Sequence, residues 1–164
     1  LLGQAGRGGE KSPRRNANNK QLTMHSAASG AFAPDEDMLI GIPVIDAQHS
    51  LLFRLANRLL DHPAASARDE PIVDILTELG KSLILHFQTE EAVMRQLGVP
   101  ADEIEQHAES HVRIIDQYTD LNLAAVQGNH HTAAEIYAKV CDWIHTHFSE
   151  EDRLIRRYVP PDPS

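Results

Sequence analysis

The chain has 164 residues, a formal net charge of −9, and a composition that is 41% hydrophobic but only 5% aromatic. That length suits one domain with its own core. The acidic balance argues against a nucleic-acid surface, and no run approaches the roughly 20 apolar residues of a membrane span.

The lone Cys141 cannot form an internal disulfide, and nothing points to an oxidising compartment. No charged-then-apolar signal segment opens the chain, so a soluble, cytoplasmic protein is expected. Charge is unevenly divided. Residues 1–33 carry five basic residues against one acidic, a net +4, and the remainder carries 10 against 23, a net −13. Residues 1–37 are rich in Gly, Asn, Ser and Ala without an apolar period. They read as a disordered, solvated N-terminal segment. Met24 is a candidate start, with residues 1–23 upstream of it.

Residues 38–160 are expected to fold as an all-α, up-down-up-down antiparallel four-helix bundle. The first helix is predicted from Val44 to Asp61, with Val44, Ile45, His49, Leu52, Ala56 and Leu59 on one stripe. His62-Pro63 ends it, because a residue before proline avoids the helical region. The second begins near Pro71, after Asp69 and Glu70, which suit a helix N-terminus. Its stripe is Ile72, Ile75, Leu79, Leu83, His86, Glu90 and Val93, and Gly98 and Pro100 close it. The third starts just after Pro100 and carries Ile104, His107, His111, Ile114, Tyr118 and Leu121, with Gly128 as its expected stop. The fourth is capped by Asn129 or Thr132. It carries Ile136, Val140, Trp143, His147 and Ile155, with Leu154 a weaker member.

These stripes carry polar groups where core residues belong. His86 and Glu90 are four apart, as are His107 and His111, so each pair presents two ligand atoms one helical turn apart. His49 and His147 add one histidine from each remaining helix. A lone histidine on an apolar face is usually a hydrogen-bonded core residue. Five together would be hard to satisfy without a metal. His25, His62, His130, His131 and His145 fall off the stripes and read as surface residues. Spacing alone offers Glu151, four residues beyond His147, as a further carboxylate ligand; Asp152, at five, lies about 140° round an ideal helix.

Four segments carry a resemblance: Gly-Ile-Pro-Val-Ile-Asp-Ala-Gln-His (41–49), His-Phe-Gln-Thr-Glu-Glu (86–91), His-Ala-Glu-Ser-His (107–111) and Trp-Ile-His-Thr-His-Phe-Ser-Glu-Glu-Asp (143–152). From Gly41 to Val159 the chain resembles a hemerythrin domain of the bacterial single-domain kind. The resemblance implies a cofactor of two non-haem iron ions with a bridging oxide or hydroxide. It implies that His107, His111 and His147 hold one iron, that His49 and His86 hold the other, and that Glu90 and Asp152 bridge them. A local widening of the helix would let Asp152 reach. One coordination position then stays open, on the iron held by His49 and His86, where dioxygen would bind.

The expected function is therefore reversible dioxygen binding for carriage, storage or sensing, not enzymatic catalysis. Five neutral imidazoles and only two carboxylates favour reduced iron more than the glutamate-rich sites of ferritin-like bundles do. A di-iron redox enzyme or sensor acting on peroxide or nitric oxide is the alternative, and a module reporting to a signalling or redox partner is a third reading. A zinc hydrolase fits less well, since seven donors exceed one tetrahedral zinc. Neither a nucleic acid nor a membrane is an expected partner, and the protein is read as a monomer or weak oligomer. Leu52, Phe87, Trp143, Ile144 and Phe148 are candidates for an apolar oxygen pocket, each also explicable as plain core. Glu150 departs from the apolar residue usual three positions after the last histidine: turned inward it would speed autoxidation, turned outward it is solvated. Met38 and Leu39 stand where the family often has an aromatic residue, a change expected to touch a lid contact and not the metal.

Overall fold

In the computed structural model the described residues are 38–65, 67, 69–127 and 131–161, less the side chains of 125 and 126. The expected N-terminal segment, Met24, His25, Gly128, Asn129 and His130 lie outside them. Four α-helices follow one another: α1 Pro43–Arg58, α2 Glu70–Gln96, α3 Ala101–Gln127 and α4 Ala133–Thr146. A 3₁₀ turn, Leu59–Asp61, extends α1, and α4 passes into a π-helical segment, His147–Glu151, and a 3₁₀ segment, Asp152–Tyr158. Consecutive helices run antiparallel, with α1 packed on α2 and α4, and α2 on α3.

Local chemistry fixes each start. Pro43 opens α1, and Asp46 in its first turn reaches back to accept hydrogen bonds from the Ile40 amide at 2.8 Å and the Gly41 amide at 3.1 Å. Gly41 adopts φ +84°, which lets the preceding strand of chain turn back over the bundle and bury Met38. The α2–α3 corner is short. Gly98 takes φ +74°, the Val99 amide bonds back to the Met94 carbonyl at 3.0 Å, and Pro100 precludes continuation of α2. Thr132 caps α4 in a reciprocal box with Glu135. At the opposite end from the α2–α3 corner, the Ala67 amide bonds to the His131 carbonyl and the Ala133 amide to the Ala65 carbonyl, tying the first and third connections together.

Most stripe residues bury as expected; Val93, Tyr118 and Trp143 are half-buried, and two others are exposed. Val44 is 47% exposed and Leu154 53% exposed. Val44 lies about 100° round the helix from Ile45, off the face that Ile45, His49 and Leu52 share, and the non-α geometry after Thr146 rotates Leu154 off the inner face. The main core runs along the bundle through Leu52, Leu79, Ile114 and Ile136. Each such side chain contributes about 1.5–3 kcal/mol on burial. A smaller cluster of Ile40, Ile45, Met94, Val99, Ile104 and Ile155 closes the end nearest the α2–α3 corner.

Candidate metal centre

Between these two apolar clusters lies a polar layer. His49 and His86, Glu90 and Asp152 are 0% exposed, and His107, His111 and His147 are at most 9% exposed. All four helical strands of the bundle contribute, and every histidine aims Nε2 inward. One donor atom from each of Glu90, His107, His111 and His147 lies within 4.8 Å of the others, and so does one from each of His86, Glu90, His147 and Asp152.

The imidazoles form two groups. His107, His111 and His147 have ring centroids 4.6–5.1 Å apart, and His49 and His86 lie 4.8 Å apart, whereas His86 and His147 are separated by 6.3 Å. Asp152 stands between the groups. Its Oδ2 faces His49 Nε2 at 3.1 Å and His86 Nε2 at 3.7 Å, while Oδ1 faces His147 Nε2 at 3.0 Å and His107 Nε2 at 3.4 Å. Glu90 Oε2 lies 3.2 Å from both His107 and His111.

Asp152 gets there through the π-helical segment. Widening the helix over His147–Glu151 puts Asp152 on the same inner face as His147. Glu151 instead reaches the outer edge of the His147 ring, with Oε2 at 2.8 Å from Nδ1, and is one-third exposed.

Outward-facing ring nitrogens fix the tautomers. His49 Nδ1 meets the Met38 carbonyl at 3.0 Å, His86 Nδ1 the Gln48 Oε1 at 3.3 Å, and His111 Nδ1 the Glu91 Oε1 at 3.3 Å. An oxygen acceptor at Nδ1 keeps the proton there and leaves the Nε2 lone pair facing inward, the form a metal ligand needs. Gln48 is itself oriented, because its amide NH₂ donates to Thr89 Oγ1 at 3.0 Å. Met38, expected to affect only a lid contact, touches a candidate ligand through its backbone.

Electrostatics point the same way. Burial opposes ionisation of Asp152, yet His147, His49 and His86 hold its carboxyl well below the usual carboxylate range. Glu90 is likewise held low, against burial and the Asp152 charge, by contacts from His107, His111 and His147. Burial pushes His86 down, whereas at His147 burial is outweighed by Asp152, Glu151 and Glu90, and its pKa rises well above 6.5. Even so, His49 Nε2, His86 Nε2, His147 Nε2, Glu90 Oε1 and both Asp152 oxygens lack a hydrogen-bond partner. Buried polar atoms in that number are costly unless something binds them. Five nitrogen and two carboxylate donors suit a pair of first-row metal ions.

Phe148 stacks on the His49 ring at 3.7 Å and Phe87 on His111 at 4.0 Å. A cavity of about 10 Å³ lies beside His147, bounded by Phe87, Trp143, Ile144 and Phe148 among others. Leu52 is buried in the main core. Glu150 is exposed, as are His62 and His145, so Glu150 takes no part in the apolar surroundings of the site. Sequence reasoning missed Gln48, Glu91 and the partner role of Glu151. Their signal is adjacency, since each stands one residue from a candidate ligand.

Fold and site together define a helical metal-binding domain, with its donors gathered in one buried layer. The hemerythrin family model, described as a hemerythrin HHE cation binding domain, matches residues 40–159, and the chain belongs to that family. Among curated relatives, the bacteriohemerythrin of Clostridium acetobutylicum is 27% identical over 126 residues, covering 74% of this chain and 96% of its own. That of Campylobacter jejuni is 27% identical over 115 residues, covering 70% and 85%. That of Methylococcus capsulatus is 28% identical over 109 residues, covering 66% and 81%. Crystal structures of two single-residue hemerythrin mutants share the fold, with TM-scores of 0.64 and 0.63 at 24% identity. They cover 82% and 83% of this chain and 96% and 97% of theirs.

Proposed function

We propose that this chain binds dioxygen reversibly at a non-haem di-iron centre held by His49, His86, Glu90, His107, His111, His147 and Asp152. The observation that carries the reading is Asp152: a fully buried carboxylate with one oxygen turned to a two-histidine group and the other to a three-histidine group. That is the arrangement of a bridge between two ions. Membership of the hemerythrin family and the bacteriohemerythrin relatives support the same reading. When bound, the iron pair supplies two electrons to dioxygen and recovers them on release.

The protein's own residues make reversibility reasonable. Phe148 covers the two-histidine side and excludes water there. The 10 Å³ cavity is lined by apolar groups and one imidazole, so protons have no ready path through it. With Glu150 exposed, no carboxylic acid stands in that lining to protonate the bound ligand. Whether oxygen is carried, stored or sensed belongs to a physiological setting, and each use requires the same site.

A second reading, a redox sensor or an enzyme acting on peroxide or nitric oxide, draws on one observation. His107 borders a surface cavity of about 240 Å³ that also contains Glu103, Arg113 and Glu151, a polar approach to the three-histidine side. Reconstitution with ferrous iron under argon separates the readings. Two irons per chain and a visible absorption band that forms in air and fades under argon, cycle after cycle, support oxygen binding. A single irreversible passage to the ferric form, with turnover of added peroxide, supports the second.

A further inference from the structure

The groups holding the outer ring nitrogens are not alike on the two sides of the site. On the three-histidine side two of the acceptors are carboxylates: Glu151 Oε2 at 2.8 Å from His147 Nδ1, and Glu91 Oε1 at 3.3 Å from His111 Nδ1. On the two-histidine side both acceptors are neutral: the Met38 carbonyl at 3.0 Å from His49 Nδ1, and the Gln48 amide oxygen at 3.3 Å from His86 Nδ1. Each carboxylate is also held from outside by an exposed guanidinium, Arg95 on Glu91 at 3.0 Å and Arg113 on Glu151 at 3.6 Å. Those arginines are exposed at the water interface, where their charge is screened, while the carboxylates turn inward to the imidazoles.

A carboxylate accepting an imidazole N–H makes that imidazole the more basic ligand, whereas an amide or carbonyl does so less. Resting on the di-iron reading above, we propose that Glu91 and Glu151 are positioning residues that polarise the centre. By holding the Nδ1 protons of His111 and His147, they stabilise the higher metal charge on the three-histidine side. Gln48 and the Met38 carbonyl would leave the two-histidine side, to which the family resemblance assigns the open position, to the lower charge. Were the centre loaded with two ferrous ions, an outer-sphere one-electron oxidant would withdraw its electron from the ion held by His107, His111 and His147, leaving the ion held by His49 and His86 ferrous. No proton moves in this step, and the oxidant takes up the electron.

The test is a ferricyanide titration of the two-iron protein under argon, followed by electron paramagnetic resonance, in wild type, Glu91→Gln, Glu151→Gln, their double variant and Gln48→Glu. Each substitution preserves size and an oxygen acceptor at Nδ1 while changing charge, Gln48→Glu also giving up the bond to Thr89 Oγ1, and iron is counted in every sample. Half-oxidised wild type should bind nitric oxide, a ligand for an open ferrous ion, in preference to azide, a ligand for an open ferric one. The first midpoint potential should rise in both glutamine variants and furthest in the double variant. Gln48→Glu should lower it and move the half-oxidised protein toward azide. Unmoved potentials in variants that still hold two irons overturn the proposal alone, as does a Gln48→Glu shift of the same sign as Glu151→Gln. A wild type that takes up fewer than two irons overturns the di-iron reading and this proposal with it.

Discussion

His147 meets three carboxylates: Asp152 at 3.0 Å and Glu90 at 3.7 Å through Nε2, and Glu151 at 2.8 Å through Nδ1. In the metal-free protein these hold a proton on the ring well above pH 6.5, although burial works against it. A metal must displace that proton, because only the neutral ring offers an Nε2 lone pair. Lower pH favours the protonated ring, so apparent ferrous affinity should fall as pH drops, by up to about tenfold per unit for a one-proton exchange. Competition titrations with a chelator between pH 6 and 8 check this, and an affinity flat across that range would refute it. Glu150 gives the opposite kind of expectation. It is exposed, two residues from Asp152 but outside the apolar lining. Glu150→Leu should leave the autoxidation rate unchanged in air-equilibrated buffer, and a marked slowing would mean that the side chain reaches the site in solution. From sequence, the two carboxylates at the end of the fourth helix compete on spacing, and spacing alone prefers Glu151. What decides their positions is a π-helical widening, which has no sharp signature in residue type or period.

At the level of the elements, boundaries were most legible where chemistry is local. Pro43, Gly98, Pro100 and Thr132 each stand at a helix end for a reason visible in the residue itself. Thr132→Ala removes the acceptor for the Glu135 amide and should cost about 1 kcal/mol, read from denaturant midpoints. The Glu135 carboxylate accepts from the Thr132 amide at 2.8 Å and from the Thr132 hydroxyl at 3.2 Å, both of which lower its pKa, and Thr132→Ala removes the second. A depressed folded-state pKa contributes stability above the ordinary value of 4.5 and loses it as pH falls through the folded value. The cost of Thr132→Ala should therefore shrink in acid. The contact between α2 and α3 was less legible. Gly80 sits in the middle of α2, where a β-carbon would meet Tyr118 Oη at 2.6 Å, and that hydroxyl donates to the Leu76 carbonyl at 2.6 Å. Tyr118 was readable as an apolar stripe residue, but nothing in the sequence pairs it with a glycine 38 positions earlier. Gly80→Ala should destabilise by roughly 1–3 kcal/mol despite alanine's better helix propensity. Much of that loss should vanish on a Tyr118→Ser background, and a purely additive double-mutant cycle would show that the two side chains do not meet.

Across the whole molecule, the fold class and six of the inward-facing polar residues, His49, His86, Glu90, His107, His111 and His147, were legible because both rest on the 3.6-residue period, whereas Asp152 came only from the family resemblance. The flanking apolar clusters could not be told apart in sequence, since the stripe residues on either side of the histidines are of the same type. In the structure they are separate: a large core on one side of the polar layer and the six-residue cluster of Ile40, Ile45, Met94, Val99, Ile104 and Ile155 on the other. The large core is closed at its far end by the backbone bonds between residues 65–67 and 131–133. The small one has six buried members against twenty in the large one, and the layer of buried donors stands between them. Stripped of metal, the domain should thus behave as two units of unequal durability, not as one cooperative block. Amide hydrogens around Met94, Ile104 and Ile155 should exchange with solvent well before those around Leu79 and Ile136. Ferrous loading should draw the two groups of rates together, and equal rates in the stripped protein would contradict this. The ions would then act as the middle course of a wall, fastening the terminal cap to the larger core.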